Sequence, residues 1–96
     1  MQAYTFNQRV ENLYKSYFST YENIRIILNE DQIKIYLIDE QNLDSASLEL
    51  IKFKQYDQIT FWDGYSQSEV IETISERESA KTLKRFMKKI LKILNR

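Results

Sequence analysis

Residues 56–74, YDQITFWDGYSQSEVIETI, decide the fold. Residues 56–62 are rich in Tyr, Ile, Thr, Phe and Trp, which suit a pleated, half-buried strand. Asp63-Gly64 then marks a turn, expected as a type I′ hairpin, which needs φ > 0 at both central residues. The next stretch, 66–74, reads two ways. Ser66 with Glu69 fits a helix cap, whereas the β-branched Val70, Ile71, Thr73 and Ile74 favour a strand. A turn after strand four requires a partner, so 66–74 is expected to be strand five.

Working outward, residues 47–54 read as strand three, with Leu48 and Leu50 on one face and Ile51 and Phe53 on the other. Residues 23–29 and 33–39 alternate in the same way and are separated by Asn29-Glu30-Asp31-Gln32, a hairpin loop. Gln41 to Ser45 is a polar connection. Helices flank the strands. Residues 5–19 carry a stripe of Phe6, Val10, Leu13, Tyr14, Tyr17 and Phe18, with Thr5 and Gln8 as a capping box. Residues 76–95 carry Ala80, Leu83, Met87, Ile90 and Leu94, broadened by Phe86 and Leu91, with Ser75 and Glu78 as a second box. The expected fold is α+β: an N-terminal helix, an antiparallel meander of four to five strands and a C-terminal amphipathic helix. Both helices are expected on one face of the sheet, leaving the other to solvent or a partner.

Ninety-six residues are expected to form one domain, 1–96, of modest stability. Without Cys the chain has no disulfides, which favours a reducing, cytoplasmic setting. The apolar stretches are far shorter than the ~20 residues that span a bilayer, so no membrane partner is expected.

The chemistry-bearing residues are sparse. There is no His and no Cys, which removes the commonest proton shuttle, thiol nucleophiles and the usual zinc ligands. One Gly cannot build a phosphate-cradling loop. Carboxylates remain: Asp39-Glu40 with Asp44, or Asp57 with Asp63, as a hard-cation site or an acid–base pair. Neither has the spacing of a calcium loop, and solvated loop charges account for both. No enzymatic activity, cofactor or metal is expected.

Charge is distributed unevenly. Residues 1–80 hold seven basic and all fourteen acidic groups, a balance of −7, while 81–96 carry +7. Lys81, Lys84, Arg85, Lys88, Lys89 and Lys92 lie mostly opposite the apolar stripe of the last helix. A solvated face that suits the helix dipole explains much of this. An acidic partner, a contact with the acidic body, or nucleic acid touched through Lys84, Lys88 and Lys92 are the alternatives. In strand four, Tyr56, Thr60 and Trp62 do not share a face with Ile59 and Phe61. Tyr56, Trp62 and Tyr65 beside Asp57, Asp63 and Glu69 therefore make a candidate protein-binding patch, aromatic anchors with an acidic rim. The competing reading is a second hydrophobic layer beneath a helix.

The hairpin Ile59-Thr60-Phe61-Trp62-Asp63-Gly64, followed by Glu69-Val70-Ile71-Glu72, resembles that of small bacterial immunity-type proteins, the TriTu family in particular. The resemblance implies a toxin-neutralising protein that works by binding, and it carries over no site residue. The expected function is a non-enzymatic inhibitor of a macromolecular partner: an immunity protein, or a phage-encoded antagonist of a nuclease or defence system. The alternatives are a nucleic-acid-binding accessory protein and a homo-oligomeric structural protein, a homodimer for example.

Overall fold

A computed structural model describes residues 5–95. Its elements are α1 (Phe6–Phe18), β1 (Ile24–Leu28), β2 (Gln32–Leu37), β3 (Ser47–Lys52), β4 (Asp57–Trp62), β5 (Ser68–Thr73) and α2 (Glu76–Leu94). The strands form one antiparallel sheet in the order β1-β2-β3-β4-β5. The ambiguous segment is therefore a strand, paired along β4 with Ile59 opposite Ile71 and Phe61 opposite Glu69.

Alternation along each strand separates two faces. One carries the buried Ile24, Ile33, Ile35, Leu48, Leu50, Ile59 and Phe61. Both helices lie against this face. α1 supplies Phe6, Val10 and Phe18 to the core, and α2 supplies Leu83, Phe86, Met87 and Ile90. α2 runs over β3, β4 and β5, while α1 packs on β1 and α2. The Phe61 and Phe86 rings stack with centroids 5.4 Å apart. No described helix covers the opposite face, where Ile27 and Val70 are exposed.

The helix starts follow their sequence signals unequally. At α1 both halves of the capping box form: Gln8 N donates to Thr5 Oγ1 (3.1 Å) and Thr5 N to Gln8 Oε1 (3.0 Å). At α2 Glu78 N donates to Ser75 Oγ (3.1 Å). The Glu78 carboxylate, however, accepts from Ile74 N (3.3 Å), one residue before the cap. The second box is thus half formed, where the chain enters the helix directly from β5 with Ser75 extended (φ −138°, ψ 154°).

The β4–β5 turn also differs from expectation. Gly64 is the one positive-φ residue among those described (φ 91°), so a type I′ turn, which needs two, is not formed. The loop instead spans residues 63–67, closed by Asp63 N donating to Gln67 O (3.1 Å). The Asp63 carboxylate organises it, Oδ1 accepting from the backbone N–H groups of Tyr65 (2.8 Å), Ser66 (3.0 Å) and Gln67 (3.1 Å). A side chain that hydrogen-bonds nearby backbone is what makes Asp a strong turn residue.

Phe86→Ala should lower stability by about 3–5 kcal/mol, because it empties a fully buried site. Val70→Thr, on the uncovered face, should change it by no more than about 0.5 kcal/mol. Chemical denaturation of both variants checks the pair. A large loss in Val70→Thr would mean that face is covered.

Candidate functional site

The six residues expected to form one patch are divided by the sheet. Asp57 shares parity with Ile59 and Phe61, and Glu69 sits opposite Phe61, so both belong to the helix-covered face. Asp57 Oδ2 accepts from Ser79 Oγ (2.7 Å), and Ser79 shares a buried hydrogen bond with Thr73. That network holds the start of α2 over the end of β5. Glu69 accepts from Lys89 Nζ (2.7 Å) and Arg85 Nη2 (3.0 Å), clipping α2 to β5. Its carboxyl is held below the usual range, chiefly by the Lys89 hydrogen bond; desolvation, the next largest effect, opposes this, and Arg85 adds to the lowering. Neither acid rims Trp62.

Tyr56 lies outside the strand, in the β3–β4 turn, and stacks on Phe53 with centroids 4.9 Å apart. Asp57 and Asp63 stand at opposite ends of β4, about 20 Å apart at the strand rise, which is too far for an acid–base pair. Of the six, Trp62 is on the uncovered face and Tyr65 is at the loop tip beside Asp63.

These last three mark a different site, at the sheet end where the β2–β3 and β4–β5 loops meet. Trp62 Nε1 donates to Asp44 O (2.8 Å), tying the first loop to β4. Asn42 Nδ2 donates to Gly64 O (3.0 Å), tying loop to loop. The approach is close enough that a Cβ at Gly64 would meet Ala46 N at 3.1 Å. The first loop is also braced internally: Asp39 Oδ1 accepts from Gln41 N (2.9 Å), and Asn42 Oδ1 from Asp44 N (3.1 Å).

Out of this braced platform stand Leu43, 99% exposed, and Tyr65, 77% exposed, with Ile38 beside the strand end also exposed. The exposed Asp39, Glu40 and Asp44 share the first loop, and neither loop contains a basic residue. A shallow groove of about 590 Å³ runs between Ile38, Asp39, Glu40, Tyr65 and the helix-end residues Ile93 and Leu94. Sequence reading missed Leu43 and Ile38 as site residues. Leu43 did carry a signal, as one large apolar residue inside the polar run Gln41–Ser45.

The uncovered sheet face is mixed. Val70 and Ile27 are exposed there among half-buried Trp62, Tyr36 and Ile51. The register places Lys34 opposite Glu49, and the charges of this face divide by strand, with Arg25 and Lys34 on β1 and β2 and Glu49 and Glu72 on β3 and β5. On α2, Lys84, Lys88 and Lys92 are exposed.

Among the described residues, no group of three or more His, Cys, Asp or Glu is placed to hold a metal ion. No described helix is long and apolar enough to cross a membrane. No protein-family model matches the chain, and comparison with curated proteins and with solved structures found no match either.

The Glu69 clip has a pH signature. A carboxyl whose folded pKa lies below its unfolded value, about 4.3, contributes stability fully above that value and loses it as pH falls through the folded one. Glu69→Gln should therefore flatten the rise of the unfolding midpoint with pH below about pH 4.5. Identical slopes in variant and parent would show that the clip does not form.

Proposed function

We propose that the protein works by binding, and that it inhibits a basic protein partner seated on the two-loop platform. One observation carries this reading: Leu43, almost fully exposed, and Tyr65, largely exposed, project from loops tied to each other and to β4. An exposed Leu at a loop tip has no role in this core. Binding hot spots are apolar and aromatic side chains that a partner desolvates, and a braced loop loses little freedom on docking.

The acids select the partner. Asp39, Glu40 and Asp44 share the loop of Leu43, and neither platform loop carries a Lys or Arg, so these acids favour a positively charged surface and speed encounter with it. A nuclease or another protein that handles phosphate has such a surface, and carboxylates can occupy it in place of the substrate. The hairpin's resemblance to immunity-type proteins points the same way. In this reading the groove beside Tyr65 receives a side chain of the partner, and inhibition follows from occlusion.

The test is capture of the partner from the native host, followed by affinity measurement with Leu43→Ser and Tyr65→Ala. Each should weaken binding about 30-fold or more, the range of a hot-spot truncation. Undiminished affinity in both variants would remove the platform as the binding site.

A further inference from the structure

A second surface shares no residue with the platform. We infer that the outer face of α2 binds the phosphate backbone of duplex nucleic acid, without reading its sequence. Arg77, Lys81, Lys84, Lys88 and Lys92 are all exposed. At 3.6 residues per turn they fall within an arc of about 80° and extend over about 22 Å of helix. Glu76 and Glu78, the acids of this helix, lie off the arc.

These five cations are also unspent. Glu69 engages Arg85 and Lys89 at the side of the helix, whereas none of the five has a carboxylate within ion-pair distance among the described residues. A row of unpaired like charges is matched by a ligand that presents regularly spaced anions along a line, which is what a nucleic-acid strand does.

The surroundings of the row discriminate among anionic ligands. A membrane-surface helix inserts its apolar face, but Leu83, Phe86, Met87 and Ile90 are buried in this core. A protein interface needs an apolar anchor, and α2 exposes none: Leu91, Ile93 and Leu94 are half-buried against the core. Single strands are held by stacking on aromatic side chains, and the arc has none. Four of the five cations are Lys, a point charge suited to phosphate rather than to bidentate reading of bases. What remains is contact with duplex phosphates.

The chain's net charge is zero. General attraction of the whole molecule to a polyanion is therefore absent, and binding must come from the row itself. This makes charge reversal a clean test. Fluorescence anisotropy with a labelled random-sequence DNA duplex, across a salt series, should give a log–log slope of about −3 to −4, from roughly four phosphate contacts. Affinity should fall about 150-fold between roughly 50 and 200 mM salt.

The triple variant Lys84→Glu, Lys88→Glu, Lys92→Glu should lose binding while keeping its circular dichroism spectrum. The triple Lys→Arg variant at the same positions should keep both the binding and the slope. Tyr65→Ala should leave the slope unchanged, which separates this surface from the platform. Four results would each overturn the inference: no duplex binding at low salt, a salt-independent affinity, tighter binding of single strands, or binding of phosphatidylserine vesicles without binding of DNA.

Discussion

Everything else in this molecule depends on the apolar stripe of α2 lying across β3, β4 and β5. Phe86 stacked on Phe61 sits near its middle, with Leu83, Met87 and Ile90 fully buried around it. A sheet of this size does not persist without a covered face, since a fully wetted meander buries too little apolar surface to offset chain entropy. Once α2 is committed to that face, its basic side must point outward and the other sheet face stays open. The same docking brings the last turn of α2 beside the two loops, where Ile93 and Leu94 close the groove under Tyr65.

Polar contacts fix where this apolar packing stops. Ser79, hydrogen-bonded to Asp57 and Thr73, sets the position of the first turns of α2. Glu69 then holds Arg85 and Lys89 farther along, and the Lys89 ammonium also lies over both Phe61 and Phe86. The clip is partly exposed and contributes modestly to stability. Its larger effect is directional. It draws two cations to one side of the helix and leaves a narrow row of others facing away. The acids of the platform lie on the two loops and the cations of the row on the outer face of α2, so one small chain offers two surfaces of opposite sign.

Much of this was legible in the sequence. Alternation in 24–28, 33–37 and 48–51 gave strands with the right buried face, and the spacing of Val10, Phe18, Leu83 and Ile90 marked the core stripes of both helices. Asp63-Gly64 correctly implied a partner strand. It did not reveal the turn type, because an Asp carboxylate can organise a five-residue loop as well as it can occupy a tight turn. Parity along β4 already placed Asp57 with Ile59 and Phe61. The candidate patch joined residues close in sequence without applying that parity, and so it mixed two faces. Leu43 read as part of a polar connection because nothing local distinguishes a loop leucine that will be buried from one that will not.

Composition and periodicity by themselves determined the elements, their order, the buried stripe of each and the charge asymmetry of the last helix. These are one-dimensional properties, set by the geometry of a residue relative to its near neighbours. Tertiary structure alone decided which loops touch and which charges are neutralised. Asn42 meets Gly64, Trp62 meets Asp44, and Glu69 meets Arg85 and Lys89, across 16 to 22 positions of chain. Such pairs come together only after strand register and helix docking are in place. Exposure of Leu43 and Tyr65 is likewise a property of the closed fold, because it depends on what the rest of the chain has left uncovered.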